Sequence, residues 1–258
     1  MNRIEEAFKD QDKNRLTIYF TAGYPNLEDT TTILQALDKA EVDLIEIGMP
    51  YSDPLADGPT IQESSKRALA NGMNLKKLFE QLADLRKITQ KPVLLMGYSN
   101  NVLQYGVDKF CSQCYEVGID GLILPDMPLP EYKIHFADIF EKYQLKNVFL
   151  VTPKTSEKRI REIDEQKGGF IYMVSSSSTT GGSWQNSPER LDYLKRIQQM
   201  DLQTPRMVGF GIQDKAAFEL VNEYSDGAIV GSAFIKVLDK DYLEKSILDF
   251  VGKLRPQF

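Results

Sequence analysis

Residues 42–62 read VDLIEIGMPYSDPLADGPTIQ. A short, near-continuous apolar run passes into a proline-rich loop, and IQESSKRALANG (61–72) then carries helical spacing. Apolar on both faces, the run has the pattern of a parallel strand covered by helices on either side. The stretch is therefore one strand–loop–helix unit, and the same unit can be sought elsewhere.

It recurs along the whole chain. LTIYFTAG (16–23), PVLLMGY (92–98), DGLILPD (120–126), NVFLVTP (147–153), GFIYMVS (169–175), RMVGFG (206–211) and GAIVG (227–231) bring the strand count to eight. Helical segments separate them, with Pro130 and Pro188 where a first-turn proline is tolerated and Ser156 and Asp214 as N-cap candidates. Eight alternations at this length predict an α/β fold, a single closed (β/α)8 TIM barrel, over an open doubly wound sheet. No G-x-G-x-x-G follows the first strand, which further weakens the open sheet. The initial IEEAFKD predicts an extra N-terminal helix covering the barrel bottom. No linker divides the chain, so residues 1–258 are expected to form one domain.

Composition excludes several function classes. Of 258 residues, 42% are hydrophobic and 26% charged, as in an ordinary globular protein. Acidic residues outnumber basic ones 37 to 31, and the basic ones are scattered, so nucleic acid is not an expected partner. No segment approaches the roughly 20 apolar residues of a membrane span, and the N-terminus lacks a signal-peptide run. Cys111 and Cys114 are too few for a disulfide framework, and the expected location is the cytoplasm. Both cysteines fall on an apolar helix face with Phe110 and Val117, where cysteine packs as a small hydrophobe.

Within the quoted stretch Glu46 is out of place. Side chains alternate along a strand, so Val42, Leu44 and Glu46 share one face. If that face is the barrel interior, Glu46 is a buried carboxylate at the strand's C-terminal end, where barrel active sites are built. Burial is costly unless the group is paired or used. An ion pair with a distant Lys or Arg is one reading, and catalysis is the other. The following loop, with Asp53 and Asp57, favours catalysis, because two carboxylates in unlike environments can divide acid and base roles.

Other chemistries lack their residues. His135, on an outer helix, is the one histidine, so neither a His-rich metal site nor a Ser-His-Asp triad is expected. Strand six offers Tyr172 but no lysine, leaving Lys154 as the one near candidate for a Schiff base. The last two strands end in glycines, Gly209–Gly211 and Gly231 before Ser232. Barrel loops seven and eight commonly hold a phosphate, although the same glycines would also serve tight turns. The polar segment 175–189 is either a lid or a plain surface loop.

With these residues assembled, the chain resembles the family of tryptophan synthase α subunits. IEIGMPYSDPLADGPTIQ (45–62) is very close to that family's signature, supported by FTAGYP (20–25), ILPDMP (123–128), GFGI (209–212) and GSAF (231–234). The resemblance implies cleavage of indole-3-glycerol phosphate to indole and glyceraldehyde 3-phosphate, with no metal and no cofactor. It makes Glu46 and Asp57 the catalytic carboxylates and Tyr172 an active-site tyrosine, for which barrel filling is the alternative. Phe20, Leu124 and Phe210 become candidates for the slot around the indole ring. Thr180, Gly181, Gly211, Gly231 and Ser232 match substrate-binding positions on the phosphate side. None of these is cationic, so backbone N–H groups are expected to hold the phosphate. The chain departs from the family pattern at Ser176 and Ser178, and at GYSNN (97–101). By the same resemblance the partner is a pyridoxal phosphate-dependent β subunit in an α2β2 assembly, coupled through Pro50 to Asp53 and the strand-six loop. A free-standing indole-3-glycerol phosphate lyase and a non-catalytic sugar-phosphate binder remain as rival readings.

Overall fold

Each of the eight apolar runs forms a strand in the computed structural model, which describes residues 2–10, 14–54, 57–174, 188–209, 211–238 and 241–255. The strands are β1 (Arg15–Thr21), β2 (Leu44–Gly48), β3 (Val93–Met96), β4 (Gly121–Ile123), β5 (Lys146–Val151), β6 (Ile171–Val174), β7 (Arg206–Gly209) and β8 (Gly227–Val230). Each pairs in parallel with the next, and β8 closes on β1. The predicted (β/α)8 barrel is the observed fold.

Helices among the described residues are α1 (Arg3–Ala7), α2 (Asp29–Lys39), α3 (Pro59–Ala70), α4 (Leu75–Gln81), α5 (Leu85–Ile88), α6 (Ser99–Tyr105) and α7 (Val107–Val117). Then come α8 (Leu129–His135), α9 (Ala137–Lys142), α10 (Glu157–Asp164), α11 (Pro188–Gln198), α12 (Lys215–Asn222), α13 (Ser232–Val237) and α14 (Leu243–Leu254). Ser156 and Asp214 do cap α10 and α12, accepting from the amides of Arg159 and Ala217. Helical spacing runs unbroken through LKKLFEQLADLRKI (75–88) and PEYKIHFADIFEKY (130–143), yet each stretch forms two helices. The break between α8 and α9 lies at Phe136, whose backbone leaves helical values and whose ring is buried against Phe140. Cys111 and Cys114 are free thiols buried on α7. No helix among the described residues is long and apolar enough to cross a membrane.

The N-terminal helix covers the barrel bottom, as its sequence predicts. Asn2 and Glu5 form a reciprocal cap on α1, and Ile4 is fully buried. Two glycines make room for it: a Cβ on Gly121 would lie 3.0 Å from Ile4 Cδ1, and one on Gly169 would lie 3.2 Å from Ile4 Cγ2.

Carboxylates pin the strand starts at this end. Asp43, Asp120 and Asp226, just before β2, β4 and β8, accept the amides of Leu16, Val93 and Arg206 on the preceding strands. Each also holds an arginine: Arg255 on Asp43, Arg86 and Arg3 on Asp120, and Arg206 on Asp226.

Candidate active site

Alternation along β2 sends Leu44 and Glu46 to the same face, and the register sets Glu46 beside Tyr19 on β1 and Leu94 on β3. Glu46 is fully buried, and neither carboxylate oxygen has a hydrogen-bond partner. No cation among the described residues pairs with it. Burial alone pushes its pKa up from an ordinary 4.5 to about 8. At neutral pH this side chain is therefore mainly the uncharged acid. The ion-pair reading of Glu46 has no support in the structure.

Two tyrosines stand next to it. A Cβ on Gly48 would collide with the Tyr19 hydroxyl, and one on Gly209 would collide with the Tyr172 ring. The missing side chains at these strand ends are what let the phenol rings lean over the barrel mouth. Burial first, then the nearby carboxylates Asp57 and Glu46, hold the Tyr19 phenol above its usual range. Tyr172 is raised in the same way, by burial and then by Glu46, Tyr19 and Asp57. Both phenols stay protonated and can act only as neutral groups.

Asp57 reaches the mouth from the loop between β2 and α3. Its amide donates to Pro54 O at 3.0 Å, and Gln62 Nε2 donates to its carbonyl at 2.9 Å. Pro59 then opens α3 at a position where its missing N–H costs no helical bond. Burial raises the Asp57 pKa to about 6, partly offset by the Tyr98 hydroxyl, which donates to Oδ2 at 3.4 Å. Tyr98 is itself stacked on Tyr51, with ring centroids 5.0 Å apart, and Asn100 donates to the Tyr51 hydroxyl. Asp53 is different: it is exposed and bonded to its neighbour Ser52.

A cavity of about 320 Å³ lies beside Asp57 and the two tyrosines. Tyr19, Asp57, Ile61, Met96 and Tyr172 line it together with Gly211, Gly231, Ser232 and Lys236. Gly231 precedes α13, and a Cβ there would lie 3.3 Å from the Tyr19 ring. Gly211 has a φ of +79°, a conformation that favours glycine. Glu46 is not among the residues that line the cavity, although Tyr19 and Tyr172 beside it are. One carboxylate, two neutral phenols and two glycines thus line one cavity, with an uncharged acid beside the phenols.

The profile of the family described as Tryptophan synthase alpha chain matches residues 6–251. The chain belongs to the tryptophan synthase alpha chain family. The tryptophan synthase alpha chain of Flavobacterium psychrophilum is 54% identical over 254 residues, covering 98% of this chain and 100% of that protein. That of Bacteroides fragilis is 50% identical over 241 residues, covering 93% and 92%. Among solved structures, the tryptophan synthase alpha chain of Legionella pneumophila superposes with a TM-score of 0.88 at 32% identity, covering 99% and 96%.

Of the residues expected from the sequence, the structure brings Asp57, Tyr172, Gly211, Gly231 and Ser232 to one cavity, with Glu46 adjoining it. Phe20 is not there. Its neighbour Tyr19 faces the cavity, so Phe20 points to the other side of β1, where it is fully buried. Leu124 lies just past the end of β4, buried and not among the lining residues. Met96 on β3 supplies an apolar wall instead. Thr180, Gly181 and Phe210 lie outside the described residues, as do Ser176 and Ser178.

Sequence reasoning missed Tyr19, Met96 and Lys236. For Tyr19 a signal existed, because Thr17, Tyr19 and Thr21 form the polar half of an alternating run whose other half is Leu16, Ile18 and Phe20. For Lys236 the signal was its spacing of four residues from Ser232, which puts both on one helix face.

Proposed function

We propose that Glu46 and Asp57 are the acid–base pair of an α-subunit lyase, with Tyr172 beside them and Gly211, Gly231 and Ser232 at the phosphate end. The reaction of this family is the cleavage of indole-3-glycerol phosphate to indole and glyceraldehyde 3-phosphate. The observation that carries the residue assignment is the unlike state of the two carboxyls: Glu46 near 8 is an acid at neutral pH, while Asp57 near 6 is mainly a base.

The chemistry needs one group of each kind. Glu46 in its acid form gives a proton to indole C3, and the Asp57 carboxylate stabilises the positive charge that develops at the ring N–H. The Glu46 carboxylate then takes the proton of the adjacent hydroxyl. As the carbon–carbon bond breaks, its electrons return to the ring, the carbinol becomes the aldehyde, and Glu46 regains its acid form. Because Glu46 is fully buried and outside the cavity lining, its side chain must turn toward the cavity when substrate binds. Thr180, Gly181 and Phe210 complete the substrate contacts in this reading, and Phe20 and Leu124 back the lining residues from the neighbouring core.

Partnership with a tryptophan synthase β subunit follows from family membership, and the assembly we propose is α2β2 in the cytoplasm. Tyr51 lies in the segment Pro50 to Asp53 expected to couple the two subunits, and it stacks on Tyr98, which donates to Asp57. The whole chain, 1–258, is read as one domain, supported by the closure of β8 on β1. Neither a metal nor an organic cofactor enters these steps.

The test is indole formation from indole-3-glycerol phosphate by the purified chain, alone and with a β subunit. Slow turnover that the β subunit accelerates is the expected result. Fast turnover indifferent to the β subunit would point to a free-standing lyase, and no indole in either case would overturn the proposal.

A further inference from the structure

The cavity has a second charged wall that the acid–base chemistry does not use. Lys236, on α13, is exposed and lines the same cavity as Asp57 and Tyr172. It makes no ion pair or hydrogen bond with the described residues, unlike the cations at the barrel bottom. It stands one helical turn beyond Ser232, on the face that Ser232 shares, and far along the chain from Asp57. The other ionisable groups in the lining are Asp57 and two phenols held in their neutral form, with Glu46 near the phenols but outside the lining. Without Lys236 the lining would present a phosphate with no positive side chain and with one carboxylate.

We infer that Lys236 is a specificity-determining residue for the phosphate group: its ammonium draws the dianion to the lining beside Ser232, which shares its face of α13. The inference rests on reading Gly211, Gly231 and Ser232 as the phosphate end. An ammonium beside Ser232 offsets the carboxylate of Asp57 in the shared lining, so the lysine favours substrates that carry a phosphate. The ammonium is exposed, so its attraction is screened by salt, over a Debye length of about 8 Å at physiological ionic strength. Its effect falls on binding and not on the bond-breaking step.

The experiment is an equilibrium titration of glycerol 3-phosphate into the full chain and into two variants, Lys236→Met and Lys236→Arg, at low and physiological salt. Methionine keeps most of the apolar stem, and arginine keeps the charge. Lys236→Met is expected to weaken binding about five- to tenfold at low salt, with the deficit shrinking as salt rises. Lys236→Arg is expected to stay within about twofold of the unmodified chain. In the indole assay the methionine variant should raise KM by a similar factor and leave kcat within about twofold. Unchanged binding in Lys236→Met, an equal loss in both variants, or no glycerol 3-phosphate binding by the unmodified chain would each overturn the inference. If the unmodified chain binds the phosphate but makes no indole, the lyase reading fails and the titration still decides the role of Lys236.

Discussion

The two ends of this barrel treat buried carboxyl groups in opposite ways. At the bottom, Asp120 is 3% exposed and held by Arg3, Arg86 and the amide of Val93. At the mouth, Glu46 is 0% exposed and holds nothing. A buried charge is tolerable only when paired, and a group left unpaired takes up a proton instead. The bottom thus uses its acids as fixed anions that register the strands. The mouth keeps one as a neutral acid, destabilising relative to exposure but able to move a proton. The difference separates an end built for stability from an end built for chemistry.

The largest effect is expected from Glu46→Gln, which keeps the shape and removes the titration. Turnover should fall by about 10³, within the range for loss of a positioned acid–base group. The same change should stabilise the fold. Between pH 4.5 and about 8 the folded chain holds the Glu46 proton and the unfolded chain releases it, so stability falls as pH rises through that window. The variant escapes this loss, gaining nothing below pH 4.5 and on the order of 3 kcal/mol at pH 7. Thermal melts at several pH values measure it, and an unchanged melting temperature would erase the contrast between the two ends.

Asp120→Ala is the mirror experiment. It leaves Arg86 part-buried without its carboxylate and should cost about 3 kcal/mol in denaturant unfolding. Turnover of the folded fraction should be unchanged; a large drop in kcat would mean that the bottom takes part in catalysis.

The pH profile sharpens the division within the mouth. With Asp57 needed as the anion and Glu46 as the acid, kcat/KM should peak between about 6 and 8. Asp57→Asn should lower kcat/KM by about a hundredfold and remove the limb near pH 6. A limb that survives in that variant belongs to another group.

A smaller effect is expected at the phosphate end. Ser232 is the first residue of α13, where proline is tolerated, so Ser232→Pro deletes one amide hydrogen without breaking the helix. KM should rise about tenfold with kcat little changed, as for loss of one hydrogen bond to a charged group. Equal KM values would remove the amide of Ser232 from the site.

Much of this was legible in the sequence. Eight near-continuous apolar runs reported the parallel strands, because both faces of such a strand are covered and both must be apolar. Glu46 announced itself by interrupting one of them, and IEEAFKD pointed to the helix that plugs the bottom. The break at Phe136 was not legible, since helical spacing continues through it and only burial of that ring against Phe140 turns the chain. Tyr19 and Phe20 show the finer limit. Both are aromatic and adjacent, and a shift of one position exchanges the two faces of the strand.

The sequence by itself determined the strand count, the closed barrel and the residue types of the acid–base pair, because periodicity and chemistry are written locally. Tertiary structure alone decided which aromatic faces the cavity, that no cation among the described residues reaches Glu46, and that Lys236 lines the same space as Asp57. Those facts depend on which distant segments meet at the barrel mouth. Electrostatic environment is a property of that meeting, so a carboxyl's pKa cannot be read from its neighbours in the chain.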